Sequence, residues 1–358
     1  MILFGIISGL YVIFAVAVFS GLLLSNDPKN DQTTDNIKFD VLIPFKNEAQ
    51  NLTALLTSLA NQTIPASNYE IYLINDHSSD EGEEIIARFK KHHTNIHLLQ
   101  NSGSGKKDAL ITGFKASINE IILMSDADTA VPKNWIASHS EQYNADTDML
   151  IGSVKMNPVK KTFWPLIQVL EYKSISAITN GMAALRLPVM CSAANLSFRR
   201  SAVKDINEAL NINYTSGDDM FLLHYFKRHK KTIKRNNSVV EIRTEPLKKL
   251  LSQRVRWSGK ATGYSDSMTL ITGLTVLLMN LSVVVAAFMS CIDPNHVSIF
   301  YDLVLIKFLA DLLITIPVLK KDEYSLLWMT IPLSAIYPFY SIIISLTGIL
   351  RRQDKSGW

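Results

Sequence analysis

A parallel α/β domain set between membrane-spanning helices is the architecture this sequence predicts, and three observations predict it. Short apolar runs alternate with amphipathic stretches through the first half of the polar region, the pattern of strands and covering helices in a parallel sheet. Residues 2–24, ILFGIISGLYVIFAVAVFSGLLL, carry no charge and are long enough to cross a bilayer. Three further apolar stretches, roughly 268–290, 298–319 and 325–350, follow late in the chain.

The composition agrees. Of 358 residues, 47% are hydrophobic and 19% charged, with a mean hydropathy of +0.13. That is too apolar for an ordinary soluble protein and too charged for a chain lying wholly in membrane. The net charge of +4 is modest, and no basic tract with interleaved aromatics points to nucleic acid. Cys191 and Cys291 are too far apart, in surroundings too different, to suggest a disulfide framework or a zinc pattern. The expected divisions are a membrane anchor over 1–25, an α/β domain over 36–262 and a membrane helix bundle over 267–350.

The first apolar run has no Lys or Arg ahead of it and is long, so it reads as an anchor rather than a cleaved signal. The basic segment EIRTEPLKKLLSQRVRWSGK (241–260) precedes the second run. Positive charge beside a span favours the cytoplasmic side, which puts the α/β domain there. Lys320 and Lys321 agree; Arg351 and Arg352 do not, and Pro332 and Pro338 interrupt the last run, so the side of the C-terminus stays open. Asp302, Lys307 and Asp311 fall within the third run. Charges at membrane depth need a partner or a cavity, and Lys307 and Asp311, four apart, can pair on one helical face.

FDVLIPF (39–45) reads as a buried strand, and KNEAQNLTALLTSLANQT as a helix with Leu52, Leu55, Leu56 and Leu59 on one face and Asn47 as its cap. YEIYLINDHSSDEGEEIIARFKK repeats strand, polar turn and helix. NIHLLQ is a third strand, followed by the loop NSGSGKKDAL and a helix to about Ala116; EIILM is a fourth strand. Ligands bind at the carboxyl ends of such strands. The polar clusters lie at those ends: Asn47-Glu48, Asp76–Asp80, Gly105–Lys107 and Asp126–Asp128.

In LMSDADTAVP (123–132) two aspartates, Asp126 and Asp128, follow the fourth strand one residue apart. Like charges that close need a metal, a basic group or solvent between them. The loop NSGSGKK has a phosphate-binding look, but it is not a Walker A sequence, and no GxGxxG follows the first strand. A nucleoside diphosphate held by a carboxylate-bound hard cation and basic residues fits what remains. On that reading the metal separates Asp126 from Asp128, and neither needs a basic partner.

CSAANLSFRRSAV (191–203) reads as a small-residue turn into a strand, and YTSGDDMFLLHYFKR (214–228) as a helix opening on an acidic turn. Asp218 and Asp219 fall at its N-terminus, where one carboxylate suffices for the helix dipole and the other can serve as a general base. QRVRW (253–257), taken alone, is an interface anchor of Arg and Trp.

Together VLIPFKNEAQNL, INDHSSD, GKKDAL, SDAD, SAANLSFRR, SGDD and QRVRW resemble, in order, the motifs of the membrane-bound inverting glycosyltransferases of family 2, the group of hyaluronan, chitin and cellulose synthases and ceramide glucosyltransferase. They cover about residues 40–260. The resemblance implies a GT-A fold and a nucleotide-sugar donor, UDP-sugar being the commonest. It puts Asp76 at the base or ribose and Lys106 or Lys107 by the donor. Asp128 takes the metal, Mn²⁺ or Mg²⁺, and Asp126 supports both metal and donor. Asp219 is the catalytic base. Arg256 meets the diphosphate, while Gln253 and Trp257, with Asp218, lie on the acceptor side.

The implied function is an inverting transfer to a lipid or polysaccharide acceptor at the cytoplasmic face of the plasma (inner) membrane. The chain has fewer apolar segments after its catalytic domain than the large synthases. Two alternatives stand beside this reading: a processive, polymer-translocating synthase, and an inactive scaffold or regulator. The presence of Asp128, Asp219 and Arg256 disfavours the scaffold.

Overall fold

The computed structural model describes residues 1–24 and 37–350. Ser25 and Asn36, at two expected boundaries, and Arg351 and Arg352 lie outside the described residues. Among the described residues, 37–157 and 190–243 form one compact unit; 1–24, 158–189 and 244–350 form another.

The elements run α1 (Ile2–Leu24), β1 (Phe39–Phe45), α2 (Ala49–Ala60), β2 (Tyr69–Asn75), α3 (Gly82–Lys90), β3 (Ile96–Gln100), α4 (Lys106–Ala116) and β4 (Ile121–Met124). Then come α5 (Trp135–Ser140), β5 (Met149–Asn157), α6 (Phe163–Ala184), β6 (Leu196–Arg199), α7 (Ile206–Leu210), α8 (Asp218–Arg228) and β7 (Ile233–Arg243). Helices α9 (Leu247–Lys260), α10 (Ser267–Ile292), α11 (Val297–Thr315) and α12 (Thr330–Leu350) follow.

The seven strands of the first unit form one sheet in the order β3-β2-β1-β4-β6-β5-β7. β1 to β4 pair in parallel, as the alternating pattern predicts. β1 is buried along its whole length, which is why it reads as an unbroken apolar run. The rest corrects a purely parallel sheet: β6 runs antiparallel to both β4 and β5, and β5 pairs in parallel with β7. The reversal sets Leu196 beside Met124, so the turn ahead of β6 joins the four loops at the carboxyl ends of β1 to β4.

Asn47 does not cap α2. It takes a left-handed backbone (φ +56°), and its side-chain oxygen accepts from the Ser79 amide at 2.8 Å. The first turn of α2 is served by Asp80 instead, whose Oδ2 accepts from the Ala49 amide at 2.8 Å. The loops after β1 and β2 are thereby laced together.

Leu42, Ile74, Leu110, Ile122, Leu196, Phe198 and Phe226 meet in the core, joining strands to α4 and α8. Beside it lies a buried polar hub at Asn195. Its Oδ1 accepts from Trp135 Nε1 at 2.9 Å, and its Nδ2 donates to the Ser153 and Ser238 carbonyls. His139 joins it: Nε2 lies 3.0 Å from Asn195 Oδ1, and Nδ1 lies 2.7 Å from the Ser197 hydroxyl, which accepts from Tyr143.

In the second unit, Ile2–Leu24, Ser267–Ile292 and Lys321–Leu350 are long and apolar enough to cross a membrane. α11 carries Asp302, Lys307 and Asp311; Lys307 pairs with Asp311, as the spacing predicts. Tyr11 of α1 donates to the same carboxylate. α12 runs unbroken through Pro338, and Pro332 sits in its first turn, where a missing amide hydrogen costs little.

The structure also divides the expected 36–262 domain. α6 and α9 belong with the long apolar helices. The cause is close backbone packing between small residues. A Cβ on Gly21 of α1 would lie 2.0 Å from the Gly181 carbonyl of α6, and one on Gly348 of α12 would lie 2.8 Å from the Gly259 amide of α9.

Burial holds the His139 pKa down at about 4 against an ordinary 6.5, the bond to Asn195 opposing the shift. The unfolded chain therefore binds a proton near pH 6.5 that the folded chain refuses until about pH 4. Melting temperature measured on the full chain should fall as pH drops through that window. His139→Gln should flatten the dependence while lowering stability throughout.

Candidate functional site

The sequence places Asp76 at the donor; the structure buries it directly after β2, against the loop that follows β3. Its side chain is 0% exposed. Oδ1 accepts from Asn101 Nδ2 at 2.5 Å and from the Gly105 amide at 2.9 Å, and Oδ2 lies 3.3 Å from Lys46 Nζ. A carboxylate fixed by one backbone and two side-chain donors shapes the loop 101–105 and so aims the first turn of α4.

That turn carries both candidate lysines, and they diverge. Lys107, 5% exposed, donates to the Asn211 carbonyl at 2.9 Å and lies 4.5 Å from the Phe221 ring centroid. It is a core anchor tying α4 to α8. Lys106 goes to the acidic groups: Nζ is 2.6 Å from Asp126 Oδ1 and 3.3 Å from Asp218 Oδ2. Burial works against its charge, but Asp126 and Asp218, with Asp219 beyond them, outweigh that and hold its pKa above the ordinary value.

The expectation that Asp126 and Asp128 need no basic partner is therefore corrected for Asp126. An ammonium one helix turn from the loop takes the place between carboxylates, because the carboxyl ends of β3 and β4 bring α4 beside the aspartates. Asp128 is exposed. Gly217, at φ +89°, makes the left-handed turn that starts α8, and Asp218 and Asp219 occupy its first turn. Asp218 is buried and faces Lys106; Asp219 is half-buried, its carbonyl accepting from Cys191 Sγ at 3.3 Å.

The geometry thus brings together Lys106, Asp126, Asp218 and Asp219, with Asp128 in the same loop as Asp126. Chemically this is an acidic edge able to hold hard cations, one ammonium able to meet an anion, and a half-buried carboxylate at a helix N-terminus able to accept a proton.

Gln253, Arg256 and Trp257 belong to α9 in the other unit. Arg256 is half-buried. Its neighbour Arg254 is the enclosed one, and sequence reasoning missed it. Arg254 Nη2 lies 2.8 Å from Glu171 Oε2, Nη1 donates to Gln253 Oε1 at 2.7 Å, and the guanidinium sits 4.2 Å from the Trp257 ring centroid. Its position three residues before Trp257 was a signal that it shares that face of the helix. Glu171 had no such signal, since α6 was not foreseen. Lys46 and Asn101, the partners of Asp76, were missed likewise.

Residues 40–206 match the model of Glycosyl transferase family 2. The chain is similar to the poly-beta-1,6-N-acetyl-D-glucosamine synthase of Staphylococcus epidermidis, 29% identical over 211 residues, which are 58% of this chain and 49% of that protein. It is similar to the dolichol-phosphate mannosyltransferase of Pyrococcus furiosus, 30% identical over 42% of each chain. It spans about half or less of the length of these curated relatives. Among solved structures it resembles the mannosyltransferase PcManGT from Pyrobaculum calidifontis, determined with GDP-Man and Mn²⁺. The TM-score is 0.54 at 14% identity, over 98% of this chain and 99% of that one. At that identity the likeness is one of fold, the GT-A fold.

Asp76→Ala should release the loop without disturbing the sheet. Hydrogen exchange at Gly105 and its loop neighbours should quicken by about tenfold or more, the loss of one to two charge-assisted hydrogen bonds, while β1 and β2 amides keep their protection.

Proposed function

We propose that this chain, whose residues 40–206 match the model of Glycosyl transferase family 2, moves a sugar from a nucleoside-diphosphate sugar to a lipid or polysaccharide acceptor by single displacement at the membrane. The observation that carries this reading is the Lys106 bridge from Asp126 to Asp218 at the carboxyl edge of the sheet. It couples the aspartate pair expected to hold the donor with the acidic turn expected to activate the acceptor.

The residues present fit a hard divalent cation that arrives with a diphosphate. Asp128 offers exposed carboxylate oxygens, and Asp126 offers a second set shared with Lys106. Among the described residues no cluster of three or more His, Cys, Asp or Glu side chains could cage a metal alone. Phosphate oxygens and water would complete such a shell. When bound there, Mn²⁺ or Mg²⁺ would offset negative charge on the departing diphosphate.

The chain's own residues do the rest. Lys106 shifts part of its pairing from Asp126 to the incoming phosphates and holds the donor at the sheet edge. Asp219 accepts the proton of the acceptor hydroxyl as that oxygen attacks the anomeric carbon opposite the leaving group, so the configuration inverts and no enzyme nucleophile is needed. Asp218 keeps Lys106 aligned. Asp76 acts through the loop it fixes, rather than by direct touch. By motif match, Arg256 meets the diphosphate, and Gln253 and Trp257 serve the acceptor. The basic stretch ahead of α10 supports a cytoplasmic catalytic domain in the plasma (inner) membrane.

Washed membranes holding the expressed chain, given labelled UDP- and GDP-sugars with Mn²⁺ or Mg²⁺, should form labelled product that a chelator abolishes. Asp219→Asn should cut transfer by about 100-fold or more while retaining nucleotide binding. Full transfer by that variant would remove Asp219 as the base.

A further inference from the structure

Lys307 and Asp311 of α11 are charged residues that the proposed transfer does not use. α11 packs against α1, α10 and α12, helices from the three segments long and apolar enough to cross a membrane. Charges in such surroundings face a partner or a cavity, and here the partners are in place. Lys307, 4% exposed, pairs with one carboxylate oxygen of Asp311, and the other accepts from the Tyr11 hydroxyl at 2.5 Å. Two rings flank the ammonium: Nζ lies 5.8 Å from the centroids of both Tyr11 and Tyr337. α1, α11 and α12 thus meet at one buried cation.

An ion pair that only fastened α11 to its neighbours would need nothing beyond Tyr11. Tyr337 goes further. Its ring faces the ammonium, and its hydroxyl donates to Glu171 Oε1 of α6 at 3.2 Å. Glu171 in turn holds Arg254 of α9: Nη2 lies 2.8 Å from Oε2, and Nε lies 3.3 Å from both carboxylate oxygens. Arg254, 5% exposed, turns its other contacts to two residues of its own helix. Nη1 donates to Gln253 Oε1 at 2.7 Å, and the guanidinium lies 4.2 Å from the Trp257 ring centroid. A guanidinium gripped twice by one carboxylate has its plane fixed, and the indole face against that cation is fixed with it. The contacts run without a break from the Lys307–Asp311 pair to the QRVRW segment.

We propose that Lys307 and Asp311 are positioning residues for α9, acting through Tyr337 and Glu171 to hold Arg254 and so to fix the poses of Gln253 and Trp257. The inference rests on the transfer function proposed above for its effect on turnover; the poses themselves can be read without any substrate. Loss of the ammonium frees the Tyr337 ring, the hydroxyl loses its aim at Glu171, and the Arg254 fork turns with the carboxylate.

The test is fluorine NMR of the full chain in nanodiscs, its five tryptophans replaced by fluorotryptophan and the resonances assigned with Trp257→Phe, Trp164→Phe and Trp328→Phe. Lys307→Met should move the Trp257 resonance by more than its linewidth. Trp164 on α6 and Trp328 just ahead of α12 are exposed and should keep their positions, because the helices themselves stay in place. Lys307→Arg should keep the Trp257 resonance at its wild-type position. If Lys307→Met fails to fold, Tyr337→Phe decides: it leaves ring and charges, removes the hydroxyl alone, and should also move the Trp257 resonance. Lys307→Met with Tyr337→Phe should move it no further than the larger single change, as residues acting in series do. An unmoved Trp257 resonance in Tyr337→Phe, additive shifts in the double variant, or Trp164 and Trp328 moving as far as Trp257 overturns the proposal. Labelled-sugar transfer separates the two readings. Tyr337→Phe should lower turnover by about tenfold with nucleotide-sugar binding unchanged, and full turnover with a moved resonance overturns the positioning role. A moved resonance in a chain that transfers no sugar loses only the transfer function; an unmoved one in a chain that does loses only this inference.

Discussion

One ammonium group organises the acidic edge of the sheet. Without Lys106, Asp126 and the Asp218-Asp219 turn would face each other as like charges across a partly desolvated edge, an arrangement that raises carboxylate pKa values and repels an anionic ligand twice over. With it, three carboxylates from two distant parts of the chain are held around one positive charge. The arrangement depends in turn on Lys107, which pins the same helical turn to Asn211 and Phe221, and on Asp76, which fixes the loop leading into it. Adjacent lysines of one motif thus divide the work between core and site.

Much of this edge was legible in the sequence because it is local. Three buried apolar runs and the half-buried β3, each ending in a polar cluster, determine their own direction and therefore which loops share an edge. Asp126 and Asp128 could be found that way, and Asp218 and Asp219 as the acidic first turn of an amphipathic helix. Their partners could not. Which of Lys106 and Lys107 turns outward depends on where Asn211 lies, and that is set by a contact more than a hundred residues away along the chain. β6 was visible as a strand, but its direction was not, since a short buried strand carries no mark of parallel or antiparallel pairing. β7, IKRNNSVVEIR, lies at the edge of the sheet and mixes exposed with buried positions, so it lacks the apolar density of the inner strands.

The long apolar helices of the other unit were legible in their charge-free runs, and the ion pair of α11 in the Lys307–Asp311 spacing. The place of α6 and α9 within that unit was not. Both helices look like parts of a polar domain by composition, and what recruits them is backbone proximity at Gly181 and Gly259, which no hydropathy pattern reveals. The same hidden packing brings Glu171 to Arg254. The residue predicted from the motif to matter, Arg256, and the residue the structure buries, Arg254, are two apart on one helix. They illustrate how a motif can name a helix correctly while leaving open which of its side chains is structural.

The central claim is single displacement with a carboxylate base and no covalent intermediate. The anomeric configuration of the product tests it most directly. Nuclear magnetic resonance of the product formed from an α-linked nucleotide sugar should show a β-glycoside. An α-glycoside would require a second displacement or a front-face path, and would contradict the role given to Asp219.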